Sequence, residues 1–215
     1  MSSYYQCLNR VKFESGYTPI FFDVGCNINY IPEHCGVLDD FTEIFFQQYP
    51  DAKCYGLDPL YWQAYEEKWK NDPRVTLIKK ALSDTTESKT LYTPGALNAI
   101  NAHAISSFFN RKCFTRGIDE VEVECTTIDL LIDEFNLERI DYLKVDTEGA
   151  ELLILKGASD ALQNKKINCI QVEHGGTYDD AGFTMDELIE YLGKYEYVEI
   201  FRTDAELLFV HKDNI

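Results

Sequence analysis

Basic residues are scarce in this sequence. It holds 20 lysines and arginines against 37 aspartates and glutamates, which gives a formal net charge of −17 at pH 7. So acidic a surface repels the phosphate backbone of nucleic acids and the anionic headgroups of membranes. We therefore expect a small or neutral binding partner and no nucleic-acid partner.

Long apolar runs and paired cysteines are also missing. No stretch reaches the roughly 18 to 20 apolar residues that span a bilayer, and residues 1–7 lack the basic and then apolar segments of a secretion signal. The seven cysteines are scattered, without a C-x-x-C pair of the kind that binds zinc or forms a redox dithiol. These absences predict a soluble, cytoplasmic protein with reduced thiols and no membrane span.

The length favours one folding unit. A chain of 215 residues, 45% of them hydrophobic, can bury one core of ordinary size and would be cramped as two domains. We predict a single domain over 1–215, with an N-terminal flank at 1–19. Residues 93–118 show no hydrophobic period and are predicted to form a long loop or lid, a kind of segment that usually has a function.

Short β-rich runs alternate with amphipathic helical stretches along the chain. This alternation is typical of an α/β fold with a mostly parallel sheet and helices on both faces. The final two strands, 197–201 and 207–210, predict an antiparallel hairpin at the sheet edge. The other predicted strands are 20–24, 53–57, 75–79, 121–125 and 140–145, a further one at 169–172, and a minor one at 90–92.

Apolar residues at helical spacing predict the intervening helices. Thr184-Met-Asp-Glu187 has the form of a capping box, in which the Thr hydroxyl and the Glu carboxylate satisfy free backbone N–H groups. The helices are predicted over 33–49 and 60–70, from 128, from about Glu148, and from 184.

The first strand leads into Asp23-Val24-Gly25-Cys26-Asn27-Ile28-Asn29. Ligands of open α/β sheets bind where strands end and helices begin, and Gly25 lets the backbone come close to a ligand. This is not the G-x-G-x-x-G fingerprint of dinucleotide enzymes, since it holds a single glycine preceded by an acidic residue. Asp23 suits a cofactor with a positive ammonium and sulfonium better than it suits a pyrophosphate.

The second strand ends at Gly56-Leu57-Asp58-Pro59. A carboxylate here can accept both hydrogen bonds from a ribose diol, as the acidic residue after strand two does in dinucleotide-binding folds. An Asp before Pro is also a common turn, and this segment alone leaves both interpretations open.

The segment 140–152, Ile-Asp-Tyr-Leu-Lys-Val-Asp-Thr-Glu-Gly-Ala-Glu-Leu, resembles the hallmark of the FkbM family of methyltransferases. That hallmark is a lysine, an apolar residue, an aspartate, any residue and then Glu-Gly-x-Glu at a strand-to-helix junction. The resemblance runs from about residue 20 to 212, with further matching motifs at 23–27, 58–59, 81–84, 127–129, 155–157, 172–173 and 208–210. It implies a Rossmann-like methyltransferase fold with a seven-stranded sheet, binding of S-adenosylmethionine and, usually, methylation of a hydroxyl oxygen.

The resemblance also implies which residues bind the cofactor. Family members commonly have Gly where this chain has Asn29, and Glu where it has Asp58. Asn visits left-handed backbone conformations more readily than other non-glycine residues, and Asp keeps the carboxylate, so we expect binding to persist. The implied cofactor residues are Asp23, Gly25, Cys26, Asn27 and Asn29 towards the methionine end, Asp58 and Pro59 at the ribose, Ala81, Leu82 and Ser83 beside the adenine, and Asp146.

Several ionisable residues follow the hallmark strand and its neighbour. Lys144 and Asp146 are two apart on a strand and point to one face, so an ion pair is available to them. One interpretation is that Asp146 or Glu148 merely caps the next helix and pairs with Lys144. The other is catalytic, because methyl transfer needs an aligned acceptor and a group that removes its proton. The catalytic candidates are Lys144, Asp146, Glu148, Glu173 and His174.

A metal is the third possibility for this cluster. Asp146, Glu148 and Glu173 could hold a divalent cation that lowers the pKa of the acceptor hydroxyl. The sequence does not separate this from direct base catalysis.

We therefore predict an S-adenosylmethionine-dependent O-methyltransferase that acts on a sugar or another small-molecule acceptor. Glycans, small metabolites and lipid-linked sugars all remain open as acceptors. One alternative is a catalytically silent cofactor-binding module of the same fold, which the Asn29 departure allows. A nicotinamide-dependent oxidoreductase is the other alternative, and it would need the glycine-rich phosphate loop that the sequence lacks.

Overall fold

The computed structural model describes residues 3–14, 16–26, 28, 40–95, 105–112, 114, 117–174 and 178–215. Its strands fall into one large sheet and two strand pairs. In chain order they are β1 (Ile20–Val24), β2 (Lys53–Leu57), β3 (Val75–Ile78), β4 (Ala81–Leu82), β5 (Lys89–Pro94), β6 (Ile118–Val123), β7 (Cys125–Thr126), β8 (Ile140–Val145), β9 (Ile167–Glu173), β10 (Tyr197–Arg202) and β11 (Glu206–His211).

The large sheet has seven strands in the order β3-β2-β1-β8-β9-β11-β10. The first five pair in parallel, while β11 runs antiparallel to both of its neighbours, β9 and β10. The predicted mostly parallel α/β sheet with an antiparallel hairpin is confirmed. The small pairs are β4 with β7, in parallel, and β5 with β6, antiparallel.

Local sequence explains where the helices begin. Asp40, Thr127 and Thr184 each accept a hydrogen bond at a helix N-terminus, and the predicted capping box of Thr184 and Glu187 is confirmed. The helices are α1 (Ser3–Leu8), α2 (Phe41–Gln48), α3 (Gln63–Trp69), α4 (Ile128–Glu134), α5 (Glu151–Lys156), α6 (Ser159–Gln163), α7 (Tyr178–Ala181) and α8 (Met185–Lys194).

Helices cover both faces of the sheet. Phe22 and Val24 of β1 belong to a core cluster with residues of α4, α5, α6 and α8. Phe21 belongs to a second cluster with residues of α1 and α2. Successive side chains of a strand point to opposite faces, so Asp23 lies on the α2 side of the sheet.

Some predicted boundaries are wrong or incomplete. The helix expected from Glu148 begins at Glu151, and it is interrupted at 157–158 before α6 starts. The strand expected at 121–125 is two strands, β6 and β7, and β5 is longer than the predicted 90–92. Of the helix predicted over 33–49, residues 33–39 lie outside the described part of the chain.

The predicted loop at 93–118 is only partly described, because 96–104, 113 and 115–116 lie outside the described residues. Its first residues complete β5, and its last residue begins β6. Within the described ranges, no helix is long and apolar enough to cross a membrane.

Candidate functional site

The carboxyl ends of β1, β2 and β8 meet at one edge of the sheet, where backbone hydrogen bonds join them. The N–H groups of Gly25 and Cys26 donate to the Leu57 carbonyl at 2.9 and 3.1 Å. The Asp146 N–H donates to the Val24 carbonyl at 3.1 Å. The loops after these three strands are therefore held in a fixed relation.

Gly25 is required by the closeness of two of these loops. Its φ is +77°, a left-handed backbone conformation that residues other than glycine rarely adopt. A Cβ atom at this position would lie 2.0 Å from the backbone oxygen of Asp146. The sequence predicted a close approach to a ligand, and the contact that the structure records is with the protein's own chain.

The predicted ion pair between Lys144 and Asp146 is confirmed, at 3.1 Å between Nζ and Oδ2. Lys144 also lies 3.5 Å from Oδ1 of Asp23, its register partner on β1. Asp23 is 2% exposed, and burial raises the pKa of its carboxyl while the charge of Lys144 opposes the rise. The Asp146 side chain is 21% exposed, so this buried lysine joins an internal carboxylate to an accessible one.

Asp58 organises the turn after β2. Its Oδ1 accepts hydrogen bonds from the N–H groups of Leu60, at 2.8 Å, and Tyr61, at 2.5 Å. Burial raises the pKa of the Asp58 carboxyl, and these two hydrogen bonds oppose the rise. The turn role that the sequence allowed is present, and Oδ1 alone performs it.

The hallmark loop between β8 and α5 is organised by Glu151, which is fully buried. Its Oε1 accepts hydrogen bonds from the N–H and hydroxyl of Thr147, both at 3.0 Å, and from the Gly149 N–H at 3.4 Å. Glu148 lies in the same loop with a φ of +57°. Glu148 is therefore a loop residue in a sparsely populated conformation and does not begin the helix.

Residues 105–112 dock onto this loop. The Ser107 hydroxyl donates to the Glu148 carbonyl at 2.7 Å, and Arg111 forms an ion pair with the Glu148 carboxylate at 2.5 Å. Burial raises the pKa of Glu148 to about 7, with Arg111 lowering it and Asp146 raising it. Part of the segment that was predicted as a lid thus contacts the hallmark motif.

Glu173, at the end of β9, faces other acids. Its register partner on β11 is Glu206, which is 2% exposed and accepts a hydrogen bond from Gln171 at 3.0 Å. Burial, followed by the charges of Asp146 and Glu148, raises the pKa of Glu173 to about 10. Burial and Asp146 likewise raise the pKa of Glu206 to about 8.

One side-chain oxygen of Glu173 has no hydrogen-bond partner among the described residues. This atom, Oε2, is buried. His174 beside it is half-buried, and its backbone N–H donates to the Ala205 carbonyl at 2.7 Å. The strand therefore ends in a carboxyl group with one oxygen that bonds to none of the described residues.

The segment expected beside the adenine is anchored by its backbone. Ser83 is fully buried, and its N–H donates to the Thr126 carbonyl at 2.9 Å. Its hydroxyl donates to Asp84 at 2.9 Å. Ala81 and Leu82, which form β4, are buried as well.

Of the other residues implied in cofactor binding, the structure describes two and does not describe two. Cys26 is 3% exposed, and burial raises the pKa of its thiol well above the usual range. Pro59 lies half-buried directly after Asp58. Asn27 and Asn29 lie outside the described residues.

The described ranges contain no group of three or more His, Cys, Asp or Glu side chains arranged to hold a metal ion. The proposed ligands Asp146 and Glu148 are instead held by Lys144 and Arg111.

Sequence reasoning did not select Arg111, Glu206 or Glu151 as site residues. Glu151 stands within the quoted hallmark motif, so its acidic side chain was a visible signal. Arg111 is 37 residues from Glu148 and Glu206 is 33 residues from Glu173 along the chain, and no local pattern connects either pair.

Comparison with known proteins agrees with this architecture. The family model of the methyltransferase FkbM domain matches residues 23–199, from β1 to β10. A search of curated proteins finds no match. Because the matched region is most of the chain and contains the hallmark loop with its confirmed ion pair, the chain belongs to the FkbM family of methyltransferases.

Proposed function

We propose that this protein transfers the methyl group of S-adenosylmethionine to a hydroxyl oxygen of a glycan or other small-molecule acceptor. One observation carries the proposal. Asp58 and Asp146 directly follow β2 and β8 beside the Gly25 loop, Asp23 is the last but one residue of β1 between them, and Glu173 ends β9, one strand further along. This is the edge at which open α/β sheets bind ligands.

The charge of this edge fits a cationic cofactor. S-adenosylmethionine carries an ammonium and a sulfonium, and a set of carboxylates favours both. Asp23 and Asp146 are assigned to the methionine end, and Asp58 is assigned to the ribose. The Oδ1 atom of Asp58 holds the turn, which leaves Oδ2 as the oxygen for the ribose hydroxyls.

The chain's own residues then prepare the acceptor. When bound, the cofactor supplies a methyl group on a positively charged sulfur. Lys144 fixes the direction of the Asp146 carboxylate, and Arg111 fixes that of Glu148. An acceptor hydroxyl held between these groups would lose its proton to a carboxylate or to His174.

Among the catalytic candidates, Glu173 is the one with a buried side-chain oxygen that bonds to no described residue, and we assign it the role of the base. At a pKa of about 10 it is neutral near pH 7 in the protein alone. A positive charge beside it favours its ionised form, so its role as a base depends on the cofactor's charge.

We also propose that the chain is one domain and that residues 93–118 cover the site. The contacts of Ser107 and Arg111 with Glu148 support a covering role for this segment.

Titration calorimetry with S-adenosylmethionine, S-adenosylhomocysteine and NAD tests the cofactor. We expect heat for the first two and none for NAD. Binding of NAD alone would overturn the proposal. A screen with a labelled methyl donor in a cell lysate would then identify the acceptor, and cofactor binding without transfer to any acceptor would favour the silent module.

A further inference from the structure

A buried polar cluster lies behind Asp23, on the α2 side of the sheet. It consists of Thr42 on α2, Cys54 on β2 and Tyr65 on α3, all three without exposed surface. The Thr42 hydroxyl lies 2.9 Å from Oδ2 of Asp23 and 2.9 Å from the Tyr65 hydroxyl. The Cys54 Sγ atom lies 3.3 Å from the Thr42 oxygen and 3.2 Å from the Tyr65 oxygen.

The hydrogen-bond chain has a direction. A threonine hydroxyl has one proton, and Thr42 donates it to Asp23. Thr42 can therefore only accept from Tyr65, whose hydroxyl donates. Burial raises the pKa of Tyr65 and of Cys54 well above their usual ranges, so both keep their protons.

Strand β2 leaves room for the Tyr65 side chain. Gly56 is the register partner of Asp23 on β2, and a Cβ atom there would lie 2.6 Å from the Tyr65 hydroxyl oxygen. Glycine weakens a strand and often marks a close approach. Gly56 thus provides the space through which the phenol reaches Thr42.

The series of polar contacts continues beyond Asp23 to the accessible part of the site. Oδ1 of Asp23 lies 3.5 Å from Lys144, and Lys144 lies 3.1 Å from Asp146. The position of the Asp23 carboxylate therefore bears on where Lys144 and Asp146 lie.

We infer that Tyr65 and Thr42 are positioning residues for the Asp23, Lys144 and Asp146 group, and that they determine the affinity for the methionine end of the cofactor. The inference rests on the proposed function, which assigns that end to these carboxylates. Tyr65 touches no reacting atom in this scheme, and it acts only through Thr42 and Asp23.

A comparison of two ligands tests the inference. S-adenosylhomocysteine carries the amino-acid end, whereas 5′-methylthioadenosine keeps the adenosine and lacks that end. Both have a neutral sulfur, so the ratio of their dissociation constants isolates the amino-acid end. We expect the variant Tyr65→Phe to weaken binding of S-adenosylhomocysteine about threefold to tenfold, the range for one hydrogen bond, and to leave binding of 5′-methylthioadenosine unchanged.

Thr42→Val removes the hydrogen bond to Asp23, so it should weaken binding of S-adenosylhomocysteine relative to 5′-methylthioadenosine at least as strongly. Thr42→Ser keeps the hydroxyl and should retain the wild-type ratio. Tyr197→Phe is the matched control, because it too removes a buried tyrosine hydroxyl. The Tyr197 hydroxyl donates to the Ile167 carbonyl, outside this cluster. This control variant should leave the ratio unchanged.

The outcomes separate the two hypotheses. A wild-type protein that binds neither ligand contradicts the proposed function. A wild-type protein that binds S-adenosylhomocysteine, together with a Tyr65→Phe variant whose ratio equals the wild-type ratio, overturns the positioning role alone. A folded Tyr65→Phe variant that loses both affinities equally also overturns it, because Tyr65 would then act on the fold in general.

Discussion

Gly25 and Gly182 have nearly the same φ angle and very different surroundings. Their φ values are +77° and +76°, but a Cβ at Gly25 would meet Asp146 while one at Gly182 would meet nothing within 4 Å. We expect Gly182→Ala to cost about 1 to 2 kcal/mol from backbone conformation alone. Gly25→Ala should destabilise the protein more and also weaken cofactor binding. Urea denaturation and calorimetry measure both, and equal losses of stability would contradict the assigned clash.

Asp58 allows its turn role and its ligand role to be separated. The variant Asp58→Asn keeps an oxygen for the N–H groups of Leu60 and Tyr61 and removes the second acceptor and the charge. We expect cofactor binding to weaken at least tenfold, since a hydrogen bond to a charged group contributes about 1.5 to 3 kcal/mol. The melting temperature should change little. An unchanged dissociation constant would leave Asp58 as a turn residue.

At the scale of single residues, the sequence predicted contacts between near neighbours and missed those between distant ones. The Lys144 and Asp146 pair follows from strand geometry alone, since residues two apart share a face. Arg111 and Glu206 reach the site only through the arrangement of whole strands and loops. A glycine inside a strand, Gly56, was the one local sign of Tyr65 behind it.

Among the elements, the hallmark loop departs most from expectation. Apolar spacing predicted a helix from about Glu148, but the helix begins three residues later, at Glu151. The carboxylate of Glu151 accepts hydrogen bonds from the N–H groups of Thr147 and Gly149 and so holds these residues in a loop. Gly157, at the interruption after α5, packs closely against the Ser83 backbone, because a Cβ there would lie 2.0 Å from the Ser83 carbonyl oxygen. Neither contact is visible in the hydrophobic period.

The ends of β8 and β9 carry the groups assigned to chemistry. Glu173→Gln should leave the fold intact and the cofactor affinity near normal, and it should lower turnover about a hundredfold or more, as expected for loss of a positioned base. Asp146→Asn should lower turnover as well and should also weaken cofactor binding, because Asp146 is assigned to the methionine end of the cofactor. Single-turnover assays with an identified acceptor measure this. Glu190→Gln, at an exposed position of α8, is the control. Normal turnover in both variants would return Lys144 and Asp146 to a purely structural role.

The metal alternative predicts a separate result. If Asp146, Glu148 and Glu173 hold a divalent cation during turnover, a chelator should abolish the wild-type activity and added Mg²⁺ or Mn²⁺ should restore it. The ion pairs of Asp146 with Lys144 and of Glu148 with Arg111 lead us to expect full activity in the chelator.

For the whole molecule, the buried acids make stability depend on pH. Burial raises the pKa of Glu206 from 4.5 to about 8, so the folded protein keeps a proton there that the unfolded chain has lost. Stability is then lost as the pH rises from about 5 to 8, by at most about 1.4 kcal/mol per pH unit for one group. We expect the free energy of unfolding to fall between pH 6 and pH 8 and to fall less in Glu206→Gln.

Urea denaturation at the two pH values provides the measurement. Glu190→Gln serves again as the control, because its exposed carboxylate should leave the wild-type slope unchanged. Equal slopes in Glu206→Gln and the wild type would show that Glu206 is ionised in the folded protein throughout this range.

The chain's alternation of strands and helices sufficed to predict a mostly parallel sheet with helices on both faces. The hairpin at 197–211 was predicted as well, because its two strands and short turn are local. The position of β11 between β9 and β10 was not, since strand order depends on packing across the whole sheet.

That position also sets an order of assembly during synthesis. In the seven-stranded sheet, β10 hydrogen-bonds to β11 alone, although the ribosome makes β10 first. Until residues 206–211 emerge, β9 keeps an open edge that another nascent chain could pair with, and β10 has no place in the sheet. The neighbourhood of Glu173 is therefore complete only when Glu206 is in place, and a chain truncated before residue 206 would leave the edge of β9 open to pairing with another chain.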